Sequence, residues 1–238
     1  KVIEKCEVVI KKYKDTKYYQ PALFLSGQAH FHKEEYNYAE NKMYKLNIIG
    51  DFEYKQKAEF WLALIKWKKG TPLLAIEKLT KLLDNNPINV QSSLIYLHIA
   101  DIYIELKDIN SALSNLEMAA KTSNDYKEKG RIYNRLSELA FNRKDYQRAL
   151  YAYNQVIKNS IVRDLKHEAN LKIVRIHRLM SNYDIAVEQI KSLLINEEYR
   201  ELFGELELEL VKIYEIKNDI ITSKERLQTI IKDYPKSE

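Results

Sequence analysis

The chain has 238 residues, with 39 Lys and Arg set against 34 Asp and Glu, a formal net charge of +5. Gly and Pro, at 5 and 4, are too sparse for a many-stranded β fold or a Rossmann-type sheet, whereas the abundance of Leu, Ile, Ala, Lys and Glu suits helices. The two signs of charge are interleaved, which describes a solvated surface more than a nucleic-acid footprint, and no run of about 18 apolar residues is present to span a membrane.

In chain order, residues 1–14 read as one helix, and Cys6, in the context KCEVV, as a buried helical thiol. It is the lone cysteine, so no intrachain disulfide can form and the redox compartment stays open. The opening residue is Lys1, as expected where a signal peptide or lipid-anchor segment has been removed or lies outside this sequence. Six helical hairpins are then expected at about 20–49, 56–86, 93–122, 130–159, 167–196 and 204–234. Within the fourth, Ile132, Leu136, Leu139 and Ala140 recur at three or four residues on one helical face. Tyrosine reaches 18 residues beside much Lys, Ile and Asn, a mix that reads as the codon bias of an AT-rich genome and supplies large amphipathic rings for packing between helices.

The hairpins are placed by a repeat. KDYQRAL at 144–150 is echoed by KDINSAL at 107–113 and SNYDIAV at 181–187. Registered on one small residue, Ala39, Ala75, Ala112, Ala149, Ala186 and Ser223 follow at intervals of 36, 37, 37, 37 and 37. Six returns at near-constant spacing mean a solenoid of like units. A polar corner precedes each small residue, so the phrase is the elbow of a helix–turn–helix unit. A side chain larger than methyl at that place would push the two helices of the hairpin apart. Tyr36, Ile109, Tyr146, Tyr183 and Ile220, three residues earlier, are set to staple the corner from outside.

With these residues in hand, the chain resembles the tetratricopeptide repeat family. The resemblance rests on the elbow, on Gly27, Ala63, Ala100 and Ser137 twelve residues before it, on Tyr103 and Tyr214, and on Pro87 and Pro235 as closing prolines. It departs in its period, which is about 34 in the family, in the missing family Trp, and in Val174 where a small residue belongs. The longer period suggests extra length in the links between hairpins. The resemblance implies an all-α, right-handed superhelical solenoid over 1–238, with about six repeats after a leading helix and about thirteen helices in all.

Such arrays present a concave surface to another chain, and in the family the first helix of each hairpin lines it. The resemblance places Phe24, Gln28 and Phe31 there, then Phe60, Leu64 and Trp67, then Leu97, Asp101 and Ile104. Asn134, Glu138 and Phe141 follow, then Leu171, Arg175 and Arg178, then Leu208, Lys212 and Glu215. Clustered Phe and Trp that reach solvent are the usual anchors for a partner segment. The basic residues Lys158, Arg163, Lys166, Lys172, Arg175 and Arg178, against Asp164 and Glu168, read first as a solvated face; the other reading is that the bias near Arg175 and Arg178 orients the acidic end of a partner segment. The family's clamp for a C-terminal carboxylate needs Lys and Asn four apart on a groove helix. Phe24/Gln28, Phe60/Leu64, Leu97/Asp101, Asn134/Glu138 and Leu171/Arg175 do not supply it.

Catalytic patterns are wanting: there is no Gly-rich phosphate loop, HExxH, CxxC or GxSxG. His30 and His32 point in different directions on a helix, and His177 shares the repeat position of His30, which reads as packing. Glu34–Glu35 and Glu197–Glu198 fall in corners and links as solvated charge. The expectation is a non-enzymatic scaffold with no cofactor, no metal and no small-molecule substrate, bound to protein partners. IKKYKDTKYYQPAL and IIKDYP resemble the linkers of periplasmic and lipoprotein-tethered members, which implies a component of a bacterial cell-envelope assembly. Membrane association would then be indirect, through a partner or an N-terminal anchor. The alternative is a cytoplasmic adaptor or regulator that binds a peptide, with RNA a more distant choice.

Overall fold

The computed structural model describes residues 1–85 and 92–234. Among these there is no strand. A leading helix α1 (Val2–Lys12) is followed by α2 (Tyr19–His32) with α3 (Tyr36–Ile49), α4 (Phe52–Lys68) with α5 (Pro72–Asn85) and α6 (Ser92–Glu105) with α7 (Ile109–Thr122). Then come α8 (Tyr126–Asn142) with α9 (Tyr146–Asn159), α10 (Arg163–Leu179) with α11 (Tyr183–Leu194), a 3₁₀ helix (Glu197–Leu202), and α12 (Phe203–Ile216) with α13 (Ile220–Asp233). No helix among the described residues is long and apolar enough to cross a membrane. The structure is described as two compact units, Lys1–Thr122 and the chain from Ser123 onward. Pro87 and Pro235 lie outside the described residues.

Each elbow is built the same way. The residue five before the small residue takes a left-handed backbone: Glu34, Lys107, Lys144, Ser181 and Asn218 at φ of 62°, 62°, 60°, 61° and 60°, and Gly70 at 86°. This reverses the chain, and the next N–H closes back across six residues onto the helix just ended. Glu35 reaches His30 O at 2.9 Å, Asp108 reaches Tyr103 O at 2.9 Å, and Asp145 reaches Ala140 O at 2.9 Å. The same residue then starts the following helix. Asp108, Asp145 and Asp219 accept from the backbone N–H three residues on, at 3.2, 3.3 and 3.1 Å. One two-residue phrase therefore ends one helix and caps the next. Rings staple it as expected: Phe31 meets Tyr36 at 5.6 Å, and Phe141 meets Tyr146 at 6.1 Å.

Ala39, Ala75, Ala112, Ala149 and Ala186 are fully buried, and Ser223 nearly so. On α9 the buried residues Ala149, Ala152, Tyr153 and Val156 make one stripe, and the opposite side is polar. Burial of side chains such as Tyr153, Leu136 and Ile190 contributes about 1.5–3 kcal/mol each. At the α2–α3 crossing a Cβ on Gly27 would lie 2.6 Å from Met43 Cε, so the Met43 side chain would have to shift to admit one.

At three of the described links the long period does not sit in the link. Gly50–Asp51, Ser123–Asp125 and Ser160–Val162 are two- or three-residue connections, and the extra residues lengthen the first helices α4, α8 and α10 to 17 residues each. Asp51 and Asp125 cap the extended starts by accepting from Tyr54 N and Lys127 N. The added turn is thereby stabilised as helix. Among the described links between hairpins, the connection to α12 lengthens, through the 3₁₀ helix.

Candidate protein-docking face

Within the first unit, first helices touch first helices, α2 with α4 and α4 with α6, and in the second unit α10 touches α12. The second helices make no comparable approach to one another among the described residues. Each unit therefore curves with its first helices on the inner side.

How successive first helices meet follows one rule. The side chain fourteen residues before an elbow reaches the preceding hairpin at its position eight before the elbow, and in the second unit at position eleven as well. In the first unit Trp61 meets Phe31 at 5.1 Å, and His98 meets Trp67 at 6.5 Å and Phe60 at 5.4 Å. In the second unit Lys172 Nζ lies 3.4 Å from Glu138 and 5.0 Å over the Phe141 ring. Glu209 takes Arg175 Nε at 3.1 Å and Arg178 Nε at 2.7 Å. The ladder is aromatic in the first unit and ionic in the second.

The groove residues expected from the sequence fall on this ladder in different ways. Phe24, Gln28, Phe31 and Trp67 are half-buried on the inner side. Phe24 packs edge-on to Tyr54 at 6.1 Å. Trp67 donates its indole N–H to Glu105 at 2.9 Å, with the Lys68 ammonium 3.6 Å over its ring. Phe60 and Leu64 are corrected: at 6% and 3% exposed they belong to the core between α4, α5 and α6, because the first-helix contact closes over them. Leu171 is likewise core. Asp101 is half-buried beside His98, at 4.0 Å. The Asn134 side-chain oxygen is buried without a hydrogen bond among the described residues. Glu138 accepts from the Tyr153 hydroxyl as well as from Lys172.

Arg175 and Arg178 are also corrected. They do not offer free positive charge, because Glu209 engages both and Glu205 holds Arg175 at 2.7 Å. Lys212 Nζ completes the set on Glu209 at 2.9 Å. Burial pushes the Glu209 carboxyl up, but the bonds from Lys212 and Arg178 together outweigh it and hold the carboxyl below the ordinary glutamate range. On its neighbour burial prevails: it lifts the Glu207 carboxyl above that range, and Arg226, at 3.1 Å, offsets only part.

Sequence reasoning missed Trp61, His98, Lys172 and Glu209. The signal was the column fourteen before each elbow, which reads Leu25, Trp61, His98, Arg135, Lys172 and Glu209. At Trp61, His98, Lys172 and Glu209 its chemistry matches the residues it meets. Among the described residues no three His, Cys, Asp or Glu side chains converge as metal ligands. His30 hydrogen-bonds Glu35 through Nδ1 at 2.5 Å, and the half-buried His177 is pushed toward the neutral form by desolvation. Cys6 is buried, as expected, and its thiol is raised by burial first and the Glu7 charge second.

Comparison with known proteins bears on the same fold. Residues 47–155 match the family model described as a tetratricopeptide repeat-like domain. No curated protein sequence matches the chain. Among solved structures, the C-terminal part of a TPR repeat-containing protein from Cytophaga hutchinsonii is similar at 16% identity over 99% of this chain and 90% of that one, with a TM-score of 0.64. The apo form of RapI is similar at 14% identity over 95% and 68%, with a TM-score of 0.59. BtubC from P. vanneervenii is similar at 14% identity over 80% and 85%, with a TM-score of 0.56. At such identities the likeness is one of fold. The family model over residues 47–155, the structural neighbours and the six-fold elbow agree on a tetratricopeptide repeat-like fold.

Proposed function

We propose that the protein is a non-enzymatic scaffold that holds a partner protein against the inner, first-helix side of its hairpins. One observation carries this reading: Phe24, Phe31, Trp61 and Trp67 stand half-buried on the successive first helices α2 and α4. Part of each ring ties helix to helix, and the remainder meets solvent on the curved side. Rigid aromatic surface of this kind binds a partner segment at small entropic cost. The partner segment is apolar where it meets the first unit.

We further propose a bacterial cell envelope as the setting, with the scaffold part of a larger assembly. The support is the linker style of IKKYKDTKYYQPAL and IIKDYP. The leading codons of the complete gene test this: a signal sequence supports an envelope role, and its absence returns the protein to the cytoplasm as an adaptor.

The docking claim is tested at inner positions that carry little of the ladder. Gln28→Arg with Leu97→Arg should abolish partner capture from native extract while the melting temperature holds. Trp67→Ala is a poorer probe, because it also breaks the bond to Glu105. A folded Gln28→Arg, Leu97→Arg variant that keeps every partner would refute docking on this side.

A further inference from the structure

Second helices carry a recurring face that the next hairpin covers. The residue four after the elbow is Met43, Leu79, Leu116, Tyr153 and Ile190 in the first five hairpins, each fully buried. Register sets what covers it: a first helix turns its residues seventeen, thirteen and ten before its own elbow onto the preceding second helix. Ala58, Leu62 and Ile65 of α4 share a core with Met43 and Leu46 of α3. Ile95, Ile99 and Ile102 of α6 do so with Leu79 and Leu82, and Leu206, Leu210 and Ile213 of α12 with Ile190 and Leu193. On α13 the same place is uncovered. Leu227 is 36% exposed, and Ile231, four residues on, is 74% exposed. The shape that fits is a helix with apolar residues at i, i+4 and i+7.

Charge decides whose helix it is. Six before the elbow the chain carries Lys33, Lys69, Arg143 and Lys217. Where such a cation meets the preceding second helix it finds a carboxylate. Lys69 reaches Glu40 at 2.6 Å, joined by Lys66 at 2.8 Å, and Lys217 reaches Asp184 at 2.6 Å. On α13 the places of Glu40 and Asp184 belong to Lys224 and Ile221. Both are exposed, and Lys224 forms no ion pair among the described residues. The basic first helices of a second copy would set cation against cation there. At the other end of the contact, the ladder directs the residue fourteen before an elbow to the place that Glu215 holds on α12. Glu215 is exposed and forms no ion pair among the described residues. The complementary helix therefore has a cation at i+3 and a carboxylate at i+8 or i+11, a combination of charges opposite to what this chain's own first helices offer.

We propose that the uncovered face of α13 docks an amphipathic helix of a partner protein, seated as a first helix seats on the second helix before it. Its apolar residues lie on Leu227 and Ile231, its cation at Glu215 and its carboxylates at Lys224. This surface is distinct from the inner side, and the proposal does not depend on docking there.

The test is a titration of the ¹⁵N-labelled full chain with the capped, hydrocarbon-stapled helix Leu-Ala-Ala-Lys-Leu-Ala-Ala-Leu-Glu-Ala-Ala-Glu, and with a charge-reversed form carrying Glu for Lys and Lys for both Glu. The first peptide should shift amides near Leu227 and Ile231 saturably and bind about tenfold tighter than the second. Ile231→Asp should abolish those shifts and Lys224→Glu should remove the preference, both at exposed positions and with the melting temperature unchanged. Equal binding of the two peptides, or no saturable shift at α13 with either, overturns the inference and leaves inner-side docking standing. Self-association of the unliganded chain that Ile231→Asp removes would give the face to a second copy and overturn it too. So would protection of Ile231→Cys from maleimide in the protein expressed alone from its complete gene, which would give the face to a segment of the same chain.

Discussion

Glu209→Gln isolates the ionic ladder of the second unit. The wild-type carboxylate is 1% exposed and receives Arg175, Arg178 and Lys212 at 3.1, 2.7 and 2.9 Å. Glutamine keeps the shape and one acceptor, but removes the charge that three cations face. Arg175 retains Glu205 at 2.7 Å, and Lys212 is the most exposed of the three, so Arg178 is the charge left most stranded. Breaking a fully buried pair costs about 3–5 kcal/mol, and the partial exposure of the cations lowers the expectation here to about 2–4 kcal/mol. Because the folded carboxyl is held below the ordinary value of 4.5, its stabilisation is fully present above that pH and is lost as pH falls through the folded value. Urea unfolding at pH 7 and at steps below 4.5 should therefore show a gap between parent and variant that closes on acidification. Equal stability at pH 7, or a gap that widens as pH falls, would refute the reasoning.

Glu207→Gln should behave oppositely, changing stability at pH 7 by less than about 1 kcal/mol because ionising the buried carboxyl already opposes folding there. Its raised folded value stabilises the parent as pH falls toward 4.5, and the variant should lack that gain in the same titration. Ala149→Leu should overpack the α8–α9 hairpin and cost about 1–3 kcal/mol by thermal melting. Lys144→Gly should stabilise by about 0.5–1 kcal/mol, since relief of the left-handed penalty exceeds the added freedom of the unfolded chain.

The architecture was legible because its causes are local. Ala112, Ala149 and the other elbow residues recur at one interval, and the interval alone sets the number of hairpins and their order. The left-handed residues were hidden, since Glu34, Lys107, Lys144 and Ser181 are not the glycine or asparagine that such a backbone favours. The hairpin's other bonds hold them there. Longer first helices were hidden too, because Asp51 and Asp125 look like link residues until they are seen to cap. On the candidate face the error was one of register and partner. Phe60 has the look of an anchor in the sequence and is core in the structure, while Trp61 beside it carries the contact to Phe31. Arg175 and Arg178 looked free because their partner Glu209 stands more than thirty residues away on the next hairpin.

The central claim, docking on first helices, is tested most directly by site-specific photo-cross-linking in the native cell. A benzophenone side chain is placed at Gln28 or Leu97 on the inner side, and at Tyr44 or Lys78 on the second helices. The account predicts that one and the same partner is captured from both inner positions and from neither outer one. Capture of that partner from Tyr44 and Lys78 alone would contradict it.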